Sequence, residues 1–254
     1  MGESLRIENL YVQFGTPGGQ VKALNGVDLV MEDEQVYCLV GESGAGKSTV
    51  ALSIMGLLPH SASVDRGTII FNGVNLLKAS PEYLQHLRGS EISMVFQDAQ
   101  AALNPVQLVG DQLEEVILAH TDVSRRVANG MAQDMLREVG LPDPRRIMGQ
   151  YPFSLSGGMC QRVMLGIAMV LSPRLVIADE PTSGLDVTLQ AEMLQRLRQL
   201  RHETHTAIML ITHDLGVIAQ MADSVAVMYG GTIVEHTDTK SLFAKPYHPY
   251  TWGL

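Results

Sequence analysis

Residues 36–55, VYCLVGESGAGKSTVALSIM, constrain the fold more than any other stretch. A continuous apolar run, VYCLV, meets a glycine-rich loop and then a helix-forming segment. Unbroken apolar character suits a strand buried on both faces, which a parallel sheet between helices provides. The loop, GESGAGKS (41–48), fits the phosphate-binding pattern G-x-x-x-x-G-K-[ST] in its strand–loop–helix setting. Its glycines let the backbone curl so that successive N–H groups face phosphate oxygens, and the next helix adds its positive end. Lys47 then reaches the β- and γ-phosphates, and the Ser48 hydroxyl holds Mg²⁺. A chance match to the pattern in a chain of this size is on the order of one in a hundred. Nucleotide binding is expected.

Four more apolar strands follow: ISMVF (92–96), LVIA (175–178), AIMLIT (207–212) and SVAVMY (224–229). Gln97 follows the first, Asp179 and Glu180 the second, and His213 the third. In one parallel sheet, the C-terminal ends of strands share an edge, where ligands bind. Asp179 suits the Mg²⁺ shell and Glu180 suits polarising an attacking water. Alone, an Asp-Glu pair after a strand is more often a helix cap. Beside a phosphate loop the balance reverses.

The rest of the chain frames this core. LRIENLYVQF (5–14), VKALNGVDLVM (21–31) and GTIIFNGVNL (67–76), the last turning at Asn72-Gly73, read as a small antiparallel sheet. Residues 98–153 lack a buried-strand pattern and carry helical ones, such as Val127, Met131, Met135 and Val139 at four-residue spacing. LQAEMLQRLRQLR (189–201) places Leu194, Leu197 and Leu200 along one helix side. The expected fold class is α/β: a phosphate-loop NTPase core with a mainly parallel sheet, an N-terminal antiparallel β subdomain and a helical insertion. We read residues 1–254 as one domain, with 98–153 as a helical subdomain within it.

A net charge of −9 and a pI near 5.3 argue against broad nucleic-acid binding, and no nucleic-acid partner is expected. Two cysteines, Cys38 and Cys160, argue against a secreted disulfide framework and exclude a four-cysteine metal site within the chain. The start, MGESLRIENL, is not a signal peptide, and the longest uncharged apolar run, 163–171, falls far short of a membrane span. A cytoplasmic chain with peripheral membrane contact is expected.

SLSGGMCQRVMLGIAMVL (154–171) opens with paired glycines and continues as a core-like helix. With it, the order of motifs resembles the ATP-binding subunits of ABC transporters over essentially the whole chain. GESGAGKST (41–49) matches their Walker A, Gln97 the Q-loop, LSGGMCQ (155–161) the signature, LVIADE (175–180) Walker B, SGLD (183–186) the D-loop, and His213 the switch histidine. The resemblance implies ATP and Mg²⁺ as cofactors, with Gly41, Glu42, Ser43, Gly44, Ala45, Gly46, Lys47, Ser48 and Thr49 around the phosphates. Ser48, Gln97 and Asp179 would stand near the metal. Glu180 would be the general base; His213 would hold the γ-phosphate and attacking water; Gln97 would contact Mg²⁺ or water. Phe14 falls where an aromatic ring stacks on adenine, an apolar core place being the competing reading. In that family two nucleotide-binding domains face head to tail. Ser156, Gly157, Gly158 and Gln161 would then meet the opposite chain's ATP, and Asp186 would communicate across the dimer. Two exposed glycine N–H groups at a helix start fit that role.

FQDAQAALNP (96–105), ADEPTSGLDVTLQA (178–191), ITHDLGVIA (211–219) and KPYHPYTWGL (245–254) resemble the oligopeptide, dipeptide and nickel importer branch. The implied partners are a second related ATPase, two integral membrane permease subunits contacted through the Gln97 segment and, indirectly, an extracytoplasmic binding protein. The implied place is the cytoplasmic face of the membrane. Branch members often carry a cysteine cluster beyond the HPYT segment; this chain is a short member or one cut before it, and no iron–sulfur site is expected within it. The alternative function is an ABC ATPase of a soluble enzyme complex, such as phosphonate carbon–phosphorus lyase. Retention of LNP in FQDAQAALNP favours transport.

Overall fold

The computed structural model describes residues 2–254. Along the chain run β1 (Glu3–Thr16), β2 (Gly19–Glu32), β3 (Val36–Val40), α1 (Lys47–Met55), β4 (Ala62–Phe71), β5 (Val74–Asn75), α2 (Pro81–Ser90) and β6 (Ile92–Val95). Helices α3 (Ala99–Ala102), α4 (Val109–His120), α5 (Arg125–Glu138), α6 (Pro144–Met148) and α7 (Gly157–Met169) follow. The remainder comprises β7 (Leu175–Asp179), α8 (Val187–Thr204), β8 (Ala207–Thr212), α9 (Leu215–Met221), β9 (Ser224–Tyr229), β10 (Thr232–Asp238), α10 (Thr239–Ala244) and α11 (Pro249–Gly253). The chain forms two compact units: residues up to Gln85 together with Ala207–Leu254, and His86–Thr206.

In the first unit, β3 lies between β8 and β9 and is parallel to both; β10 adds antiparallel to β9. Every residue of β3 and β8 is buried, which explains their unbroken apolar sequence. A second sheet of the same unit runs antiparallel in the order β2-β1-β4-β5. The β1 and β2 strands extend further than sequence alone indicates, pairing to Thr16 and Gly19 and leaving Pro17-Gly18 as the turn. The β4–β5 hairpin turns at Asn72 (φ 48°) and Gly73 (φ 78°), both left-handed, as its two-residue connection demands. β10 escaped the sequence reading because TIVEHTD has no apolar run. It is a half-exposed edge strand with one buried residue, Glu235.

In the second unit, β6 and β7 pair in parallel from Ile92 with Leu175 to Val95 with Ala178. Residues 98–153 contribute α3 to α6 and no strand among the described residues. The buried face of α5 is Ala128, Ala132, Met135 and Leu136, continued by Val139, whereas Val127 is 49% exposed. A four-residue spacing drifts around a helix of 3.6 residues per turn, so the stripe read from sequence meets the core only at its end. α7 buries Cys160, Val163, Met164, Leu165, Ala168 and Met169, and α8 buries Leu194, Leu197 and Leu200. Among the described residues, no helix is long and apolar enough to cross a membrane.

Candidate functional site

The first unit presents the phosphate loop. It leaves β3 at Val40 and enters α1, whose helical ladder opens with the Val50 N–H donating to the Gly46 carbonyl at 3.0 Å. Two glycines are obligatory here. A Cβ on Gly41 (φ +156°) would lie 2.1 Å from the Met228 carbonyl oxygen, and one on Gly46 (φ +104°) 2.7 Å from that of Ala23. α1 has neither a side-chain cap nor an acidic residue in its first turn. Its leading N–H groups and dipole are therefore available to an anion. Lys47 Nζ donates to the Gly41 and Glu42 carbonyls at 2.7 and 2.9 Å, arching the ammonium over the loop. Ser48 is exposed beside it.

Val40 and Thr212 are register partners on parallel β3 and β8, so the phosphate loop and His213 leave the same edge. His213 is exposed, and its neighbours fix it: Thr212 Oγ1 accepts from the Asp214 N–H at 3.1 Å, and Asp214 caps α9 through Gly216 and Val217. Phe14 on β1 is half-buried opposite Val21, which is 54% exposed, so the pair offers an apolar face to solvent rather than closing into the core.

The second unit carries the candidate carboxylates. Val95 and Ala178 pair on β6 and β7, and the residues beyond them meet: Gln97 Nε2 donates to Glu180 Oε2 at 3.0 Å. Asp179 is buried at the end of β7, while Glu180 adopts a left-handed backbone, φ +46°. For a residue with a Cβ that conformation is uncommon and concentrates at functional sites. The Ser183 N–H donates to the Glu180 carbonyl at 3.0 Å, and the Gln161 amide donates to the Ser183 carbonyl at 2.9 Å. Thus Gln161 is buried and braces the turn after Glu180, with its own Oε1 unpartnered. Asp186 caps α8 through the Thr188 and Leu189 N–H groups, both at 3.0 Å. Ser156 caps α7, accepting from Met159 at 3.3 Å, and Gly157 beside it faces open space, its nearest neighbour being Gln100 Nε2 at 4.0 Å from a built Cβ. A groove of about 530 Å³ runs past Gln97, Gln100, Gly157, Gln161 and Ser183. Cys160 lies outside this polar cluster. It is buried with Sγ 3.5 Å from the Pro152 carbonyl, and burial pushes its thiol above the ordinary value, so it is unreactive filler.

A second groove of about 480 Å³ begins where the Gln97 segment ends. It is lined by Met94, Phe96, Leu103, Gln112, His120 and Met164, among others, and is mainly apolar.

The model of the ABC transporter family matches residues 24–183. The chain belongs to that family. Similar members include the dipeptide transport ATP-binding protein DppD of Bacillus subtilis, 46% identical over 100% of this chain and 76% of that protein. The oligopeptide transport ATP-binding protein OppD of Haemophilus influenzae is 43% identical over 100% of this chain and 78% of its own length. Among solved structures, the dimeric post-hydrolysis ATP-binding cassette MJ0796 bound to ADP and Pi superposes with a TM-score of 0.83, covering 92% of this chain and 98% of that one at 23% identity. The ABC cassette fold is thereby shown, and with family membership the chain is an ATPase coupled to transport.

Two contacts are not implied by the motifs that hold their residues. One is Gln161 under Ser183. The other is the Glu42 N–H, which donates to the Tyr250 hydroxyl at 2.9 Å across 208 positions of sequence. Tyr250 stands on α11, far along the chain, so local patterning is silent about the contact.

Proposed function

We propose that this chain is the ATP-hydrolysing motor of a peptide importer, working at the cytoplasmic face of a membrane with a second related ATPase and two permease subunits. Residues 1–254 act as one nucleotide-binding domain, with 98–153 as its helical subdomain. The observation that carries the reading is the 3.0 Å bond from Gln97 to Glu180. It links the carboxylate that meets water to the segment that opens the apolar groove at Phe96 and Leu103.

The phosphate tail of ATP lies in the loop Gly41–Thr49, with Lys47 turning from the loop carbonyls toward the β- and γ-phosphates. Adenine stacks on Phe14. Ser48, Gln97 and Asp179 would hold Mg²⁺, which takes hard oxygens and few carboxylates when phosphates supply the rest. When bound, that ion neutralises charge developing on the phosphates. Glu180 accepts a proton from the attacking water, and His213 holds the γ-phosphate in line. Ser156, Gly157 and Gly158 present a helix start to the partner's ATP, Gln161 braces the D-loop behind them, and Asp186 stands at the dimer face. ATP joins the two ATPases, and hydrolysis releases them; the permeases follow through the groove beside Gln97.

The test is capture of the tagged chain from its own cells in mild detergent. Recovery of two polytopic membrane proteins with a second ATPase supports the importer. Recovery of soluble enzymes alone overturns it in favour of an ATPase serving a soluble assembly.

A further inference from the structure

The segment 245–254, KPYHPYTWGL, has no part in the ATPase machinery described above, yet it is tied to the phosphate loop by a chain of polar contacts within one compact unit. The chain starts at Glu235, the one buried residue of the edge strand β10. Its carboxylate accepts from the Tyr247 and His248 N–H groups, each at 2.9 Å, and from the Thr251 hydroxyl at 2.6 Å. His248 then caps α11, its Nδ1 accepting from the Tyr250 N–H at 3.2 Å. Tyr250 is thereby fixed in place. Its ring lies against Tyr229 at 4.5 Å between centroids, and its hydroxyl accepts the Glu42 N–H at 2.9 Å.

We infer that Tyr250 is a positioning residue for the phosphate loop and that segment 245–254 clamps the loop in its phosphate-receiving curl. Glu42 is the second residue of the loop, exposed, and its N–H is held from outside by the tyrosine. The next hold comes from the same side: the Gly231 N–H, at the β9–β10 turn, donates to the Ala45 carbonyl at 3.1 Å. Together they pin the carbonyl of Ala45 and the amide of Glu42, three residues apart, before any ligand arrives. A loop that must aim several N–H groups at one polyphosphate binds more weakly when those groups are unordered, and a tether removes that ordering cost. Tyr250 touches neither the reacting phosphate nor the attacking water in this scheme, so it acts on binding rather than on the chemical step.

The inference rests on ATP as the loop's ligand, and one titration separates the two ideas. Binding of a fluorescent ATP analogue and steady-state ATP hydrolysis are measured for the full chain, for Tyr250→Phe, for Glu235→Gln and for the double variant. Tyr250→Phe keeps the ring on Tyr229 and removes the hydroxyl alone. It is expected to raise both Kd and KM for the nucleotide by roughly three- to tenfold, the worth of one neutral hydrogen bond, with kcat at saturation within about twofold of the unmodified chain. Glu235→Gln, which loosens the anchor, is expected to raise KM in the same direction, and the double variant to be no worse than the weaker-binding single one, because both act through one tether. Unchanged Kd and KM in Tyr250→Phe, a fall in kcat without a rise in KM, or additive effects in the double variant each overturn the inference. If the unmodified chain itself binds no ATP, the ATPase assignment fails instead.

Discussion

Glu180 is the base of the proposed mechanism, and its surroundings are well defined. Its left-handed backbone, φ +46°, is held by the Ser183 N–H on its carbonyl, and its carboxylate by the Gln97 amide at 3.0 Å. Both contacts aim the carboxylate without supplying a proton to it. Glu180→Gln keeps the size and the polar contacts and removes the base. Turnover is expected to fall by about 10²- to 10⁴-fold, the usual contribution of a positioned base. Nucleotide binding should persist, and single-turnover hydrolysis beside equilibrium binding checks both halves. Turnover near the unmodified rate would remove Glu180 from its role. Gly46 is the complementary case, a residue whose value is the absence of a side chain. A Cβ there meets the Ala23 carbonyl oxygen at 2.7 Å with φ at +104°, so Gly46→Ala must push the loop off its curl. Such strain costs ~1–3 kcal/mol. A lowered Tm together with at least about tenfold weaker ATP binding, equivalent to ~1.4 kcal/mol, is the expected result.

At the scale of elements, the reading from sequence succeeded where burial is two-sided. β3 and β8 are all apolar because both faces are covered, and their ends announce the phosphate loop and His213. It failed where one residue carries an element. β10 is legible only through Glu235, and nothing in TIVEHTD says that this glutamate anchors residues 247–251. The α5 stripe moved because Ala128 and Ala132, small and easily passed over, are the residues that touch the core. Glu235 also gives this scale its prediction. Burial raises its pKa, but the Thr251 hydroxyl and the Tyr247 and His248 amides outweigh burial and hold it below the ordinary 4.5. A depressed carboxylate stabilises the fold fully above its unfolded value and loses that contribution as pH falls through the folded one. The Tm difference between the unmodified chain and Glu235→Gln should therefore be constant above about pH 5 and shrink as the medium is acidified further. Thermal unfolding across that range checks it; a gap that widens toward acid would mean the carboxylate is not the charged partner.

For the whole molecule, the proposed scheme takes half of each nucleotide site from a second chain. Gly157 opens α7 toward open space, and Ser156 caps the helix start with its own hydroxyl. A helix start with two glycines attracts an anion and repels nothing, which is a physical reason for a second chain's ATP to sit there. Placing a carboxylate at that point reverses the sign. Gly157→Asp has room for its side chain, and an acidic residue in a first turn suits the helix dipole, so folding should be preserved and Tm should change by no more than a few degrees. In the proposed dimer the negative charge would face the partner's γ-phosphate and repel it. In the Glu180→Gln background, ATP should drive the unmodified signature into a dimer seen by sedimentation. Gly157→Asp should remain monomeric under the same ATP while binding the nucleotide through its own loop unchanged. Should the chain pair only with a related ATPase, the same loss appears when the two are mixed, on the site completed by this chain's signature. Dimerisation that survives Gly157→Asp would mean that the signature helix does not face the partner's nucleotide, and the head-to-tail arrangement would have to be abandoned.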